Sequence, residues 1–157
     1  MKNLEVSFNS PQCGWMSIGF DDGANEFHTT TAHTPHSQAL SEILKGLISL
    51  LDGETAKEEF TIEWSRNPEA YDLRFAREGE NVHFEVVEFP TFNRLKSESE
   101  TVFAYEGNTK DFCKAFAETF DQLYEDRDTD EFEFNWRQPF PFEEYKSFSE
   151  KIKNYGQ

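Results

Sequence analysis

The chain has 157 residues, enough for one domain and too few for two full cores. Its 31 acids against 15 bases leave a formal net charge of −16, and 17 of its residues are Phe, so the core must be assembled largely from aromatic rings beneath an acidic exterior. That charge excludes sequence-independent binding to nucleic acid, which needs Lys and Arg to displace phosphate counterions, and it argues against an anionic membrane surface.

Residues 1–10 carry one Lys and no apolar run, which predicts no leader, and no stretch is apolar enough to span a bilayer. Cys13 and Cys113 stand far apart and outside any Cys-x-x-Cys pattern, so reduced thiols and a cytoplasmic location are expected. Leu4, Val6 and Phe8 alternate with polar residues and predict a strand, and Met16, Ile18 and Phe20 repeat that period of two. Asp21-Asp22-Gly23 supplies turn chemistry, and residues 25–31 complete a hairpin. Thr34-Pro35 has the form of a helix start, with Thr as cap and Pro at the first helical position. Leu40, Ile43, Leu44, Leu47, Ile48 and Leu51 follow at helical spacing, a stripe wide enough to cover a sheet, until Asp52-Gly53 ends it.

Three alternating segments come next: Phe60, Ile62 and Trp64; Tyr71, Leu73 and Phe75; Val82, Phe84 and Val86. The turn-rich breaks at 66–69 and 78–81 predict an antiparallel meander with one face buried and the other wet. Residues 93–100 are polar and read as a loop, and 101–105 as a fourth strand closed by Gly107. A second helix begins near Asn108 or Thr109, with Phe112, Cys113, Phe116, Ala117, Phe120, Leu123 and Tyr124 as its stripe. Residues 125–133 are acid-rich. Phe132, Phe134 and Trp136 alternate, as expected of a short edge strand. Pro139-Phe140-Pro141-Phe142 predicts an extended aromatic segment before a short helix over 143–155. The sum is one α+β domain spanning 1–157: an antiparallel sheet of six to eight strands, two main helices on one of its faces, and a short C-terminal helix.

Groups with chemical potential are sparse. His28, His33 and His36 fall within nine residues, though none of them pair at the i, i+4 spacing of one helix face; a metal- or small-molecule-dependent domain built on them is the alternative reading. Asp126, Asp128 and Asp130 open like a calcium loop, yet Glu131 stands where the loop needs Gly and Arg137 where it needs a bidentate Glu, so a solvated acidic loop is expected. The segment around Ser17 lacks Gly-x-Ser-x-Gly, no phosphate loop occurs, and Cys113 falls on an apolar stripe where an inert thiol is expected. No catalytic residue, cofactor or metal is therefore expected, and the chain reads as a non-enzyme.

What remains is a surface. If Phe60, Leu73 and Phe84 point inward, Thr61, Glu63, Asp72, Arg74, His83 and Glu85 share the opposite face. With the six acids against one Arg over 125–133, this gives an exterior suited to steering a cationic protein. The candidate partner-binding residues are Glu63, Asp72, Glu85, Asp126, Asp128, Asp130, Glu131 and Glu133. Phe140, Phe142 and Tyr145 are either a lid on the core or the anchor of an adaptor module.

Glu63-Trp64, Pro68-Glu69, Tyr71, Phe75-Ala76-Arg77-Glu78-Gly79 and Val82 resemble the meander of bacterial domains found in toxin–immunity settings. The chain as a whole, short, strongly acidic, α+β and without a catalytic motif, resembles the small acidic immunity proteins of polymorphic-toxin and contact-dependent inhibition systems. The matching residues carry no diagnostic binding motif, so no family binding residue transfers to this sequence. The resemblance implies a non-catalytic cytoplasmic antitoxin, monomeric or weakly dimeric, that binds a basic toxin domain such as a nuclease and blocks its active site or substrate path.

Overall fold

The computed structural model describes residues 3–32, 38–52, 57–65, 69–91 and 93–155. The first alternating segments form β1 (Glu5–Phe8), β2 (Trp15–Asp21) and β3 (Glu26–Ala32), a three-stranded antiparallel sheet in that order. The Asp22 side chain closes the β2–β3 turn by accepting the amides of Ala24 and Asn25 at 2.9 and 2.7 Å, the role that Asp takes in an Asx turn. The meander forms a second sheet, β4 (Lys57–Ser65), β5 (Ala70–Glu78), β6 (Asn81–Phe89) and β7 (Glu100–Asn108), antiparallel throughout.

Among the described residues seven strands thus divide three and four, which corrects the expectation of one sheet of six to eight strands. Alternation reveals that strands exist but not which of them share a ladder. Between β3 and β4 the chain runs through helix α1 (Ala39–Leu51), and the two sheets meet by ring contact across the core, with Phe20 of β2 5.0 Å from Phe84 of β6 and 5.8 Å from Phe103 of β7. The Thr34-Pro35 start proposed for this helix lies outside the described residues; within them Gln38 occupies the N-cap without a side-chain hydrogen bond.

Helix α2 (Thr109–Glu125) starts where the sequence places it. Asn108 Oδ1 accepts the Asp111 amide at 2.8 Å while Asn108 Nδ2 donates to the Asp111 carboxylate at 2.9 Å, a reciprocal cap that also sets an acid in the first turn where the helix dipole favours it. Its stripe lies on the inner side of both sheets: Phe112 and Phe116 meet Phe75 and Phe84, and Phe116 and Phe120 meet Phe8. Such ring pairs add about 0.5–1.5 kcal/mol each beyond the area they bury. Helix α1 packs on the same side. Leu40, Ile43, Leu44 and Leu47 are fully buried, and Gly46 faces the Phe60 ring so closely that a Cβ there would lie 2.8 Å from Cδ2 and nearer still to Cε2 and Cζ.

Two more helices follow, the five-residue α3 (Phe132–Trp136) and α4 (Phe142–Asn154), which at 13 residues is as long as α1. The first corrects the expected edge strand. Phe132 and Trp136 are both buried, four residues apart on one helical face, and Phe134 between them is 78% exposed on the other. Aromatics at i, i+2 and i+4 satisfy either period, and here the tertiary core takes only the outer two. Among the described residues no helix is long and apolar enough to cross a membrane.

Candidate functional site

Cross-strand register fixes the outer face of β4–β7. Glu63 lies opposite Asp72, and Arg74 opposite both Thr61 and Glu85. The three sheet acids named from sequence therefore do share a face. They do not form an open acidic field. Arg74 Nη2 lies 3.4 Å from Asp72 Oδ2 and its Nη1 3.5 Å from Glu85. Arg94 pairs with the other Asp72 oxygen and lies 3.5 Å from Glu63. Arg94 arrives from the segment after β6, stands 5.4 Å above the Phe89 ring and donates to the Tyr71 carbonyl at 3.4 Å. Phe89 belongs to a small buried apolar cluster with Ala70 and Val87. Three carboxylates thus meet two guanidiniums, and the Asp72 side chain is only 14% exposed. Arg94 was missed because its polar loop offered no periodicity; the signal was one Arg following a strand that ends in Phe. One row further along, Glu59, Ala76, His83 and Glu106 lie side by side across the four strands and line a shallow depression of about 480 Å³.

The acidic turn separates into two groups. Asp126 and Asp130 hold the turn together: the Asp126 carboxylate accepts from Gln122, the Asp130 carboxylate accepts the Ser10 hydroxyl at 2.5 Å, and the Asp130 carbonyl accepts Asn135 Nδ2 at 3.0 Å. Asp128, Glu131 and Glu133 are exposed. Among the described residues no three His, Cys, Asp or Glu side chains converge as metal ligands.

The aromatic C-terminal segment lies against this turn. Arg127 folds back so that its Nη1 donates to the Tyr124 carbonyl at 2.6 Å and its guanidinium stands 3.8 Å over the Tyr124 ring. Tyr124 also stacks with Tyr145 at 5.0 Å and Phe142 at 5.7 Å, and Phe140 meets it at 5.6 Å. The Tyr145 hydroxyl donates to Asp121 at 2.5 Å; burial first, and then that carboxylate, push its pKa up to about 12. Tyr124, Arg127, Asp128, Phe132, Glu133, Pro139, Phe140 and Phe142 line one groove of about 420 Å³. The segment is both lid and surface: Phe140 packs edge-on against buried Phe132, whereas Phe142 is 43% exposed. Two sequence features that looked like alternatives, an acidic steering loop and an aromatic anchor, are therefore a single surface.

The other candidates separate. His28 sits on the outer side of the first sheet opposite Gly19, where a Cβ would come within 2.7 Å of its ring, and its Nε2 is 3.8 Å from Glu26. His33 and His36 lie outside the described residues. Cys113 is fully buried, and burial pushes its thiol up to about 12, so it stays protonated at neutral pH. Comparison with protein-family models, with curated proteins and with solved structures finds no match.

Proposed function

We propose that this chain is a non-catalytic binding protein that captures a basic protein domain and occludes its working surface, in the manner of a bacterial immunity protein acting on a toxin such as a nuclease. The observation that supports the reading is the union of charge and aromatic surface at one place. Residues 125–133 carry six acids against one Arg, and two of the exposed ones, Asp128 and Glu133, border a groove walled by rings. Charge at such a site speeds encounter with a cationic partner, and exposed aromatics supply the contact that holds it. A standard interface needs about 800 Å² per partner. That is roughly a tenth of the 8825 Å² exposed here, so a single patch around the turn and groove suffices. The sheet face is the weaker surface for this purpose, because Arg74 and Arg94 already neutralise most of it. In this reading the chain works alone or as a weak dimer in the cytoplasm and needs no cofactor.

The reading expects a neighbouring gene to encode a basic domain, and the test is co-production with it. That domain arrests growth when made alone, and the chain restores growth and forms a complex whose association slows as salt rises. Reversing Asp128, Glu131 and Glu133 to Lys adds two charges per position and takes the turn from −5 to +1. Association then slows by about 10–100-fold at low ionic strength while the circular dichroism spectrum is unchanged. A rate that ignores the reversal, or no complex at low salt, refutes the proposal.

A further inference from the structure

We infer that the groove between the end of α2 and residues 139–142 seats an arginine side chain projected by the basic partner, an inference that rests on the binding reading above. The walls come first. Phe132, Phe140 and Phe142 present rings to the groove, and Tyr124 closes one side. Ring faces carry partial negative charge and attract cations, most strongly where water is thinned. This ring set already accepts a guanidinium, since Arg127 lies 3.8 Å over Tyr124 with one nitrogen on the Tyr124 carbonyl. The chemistry proposed for the partner is thus one the molecule uses on itself.

Charge decides what else the groove can take. Asp128 and Glu133 stand on its rim, and neither is in an ion pair among the described residues. The turn that carries them is acidic overall even with Arg127 counted. An apolar side chain would cover those carboxylates and give them nothing in return, at the cost of their hydration. A lysine ammonium satisfies the charge, but it is a compact, strongly hydrated ion, and this groove is an open one with solvent at its mouth. A guanidinium is planar and weakly hydrated; it stacks on rings and engages a carboxylate through two parallel hydrogen bonds. Rings and carboxylates, the two kinds of group such a side chain engages, line one groove here of about 420 Å³.

The test uses the intact chain and three capped tripeptides, glycine–X–glycine with arginine, lysine or norleucine at X, titrated at low salt and followed through the ring resonances of Tyr124, Phe140 and Phe142. The arginine peptide shifts these resonances at millimolar concentration, at least about fivefold more tightly than the lysine peptide, and norleucine leaves them in place. Asp128→Asn with Glu133→Gln weakens the arginine peptide about tenfold. Phe142→Ala, at an exposed ring, removes most of the shift and keeps the fold. The inference is overturned if lysine or norleucine matches arginine, or if the arginine shifts map elsewhere. Measuring the basic domain in parallel separates the two readings. A complex that Phe142→Ala leaves unweakened removes the arginine seat and spares the binding function; no complex at all removes the binding function, while the peptides still decide the seat.

Discussion

Replacing Gly46 with Ala sets two effects of known size against each other. In a helix interior Ala is more stable than Gly by about 0.5–1 kcal/mol, so propensity alone makes Gly46→Ala a stabilising change. The packing opposes it. The new methyl would lie 2.8 Å from Phe60 Cδ2 and closer to the ring's far edge, against an ordinary contact of 3.4–4 Å. Phe60 cannot retreat inward, because it is stacked at 4.4 Å and 10° on Phe75, which is fully buried. It can only pivot toward solvent and abandon that stack, or force α1 away from β4. Overpacking of this kind costs about 1–3 kcal/mol. The net expectation is a loss of about 1–2 kcal/mol, read as a lower urea midpoint at unchanged m-value. Phe60→Leu supplies the control. With the ring gone, Gly46→Ala turns neutral or stabilising, and the double-mutant cycle gives a coupling of about 1–2 kcal/mol. A Gly46→Ala protein more stable than the parent would refute the packing of α1 on β4.

Glu131 adopts φ 49° at the start of α3, in the left-handed region that costs an ordinary side chain about 1–2 kcal/mol and that Asn tolerates better. Glu131→Asn is expected to gain up to about 1 kcal/mol and to raise the melting temperature; a loss would mean that the carboxylate is used structurally. Tyr145 gives a pH test. Its hydroxyl is held protonated to about 12 against an ordinary 10.0, so the stability it contributes is complete below pH 10 and is lost as pH climbs through 12. Tyr145→Phe is expected to cost about 1 kcal/mol at pH 7, with the gap to the parent closing between pH 10 and 12; a gap that persists above pH 12 contradicts the hydrogen bond to Asp121.

Much of the architecture was legible because it is periodic. The four meander strands, the wide stripe of α1 and the Asn108 start of α2 each follow from spacing or capping chemistry acting within ten or so residues. What was not legible depends on partners distant in sequence. Which strands share a ladder is decided by packing across Phe20 and Phe84. Whether Phe132, Phe134 and Trp136 coil or extend is decided by which rings the core has room for. The same limit governs the surface. Alternation placed Glu63, Asp72 and Glu85 on one face, but no local pattern announced that Arg94 would fold back over it. Composition marked the acidic turn and the aromatic tail separately; only the folded chain brings Asp128 and Glu133 to the rim of a groove built from Phe140 and Phe142.

The first strand is fastened to the far end of the chain. The Phe8 amide donates to Thr119 Oγ1 at 2.7 Å, Ser10 bonds Asp130, and the Gly14 amide donates to the Asn135 carbonyl at 2.6 Å. Phe8 and Thr119 are 111 residues apart, so on a ribosome adding about 5–20 residues per second the opening strand waits about 6–22 s for its mate. Phe8 can meet Phe20 and Trp64 well before that, but its amide bond to Thr119 forms only once α2 has been made. The opening strand is therefore joined early on one side, through β2, and late on the other, through α2.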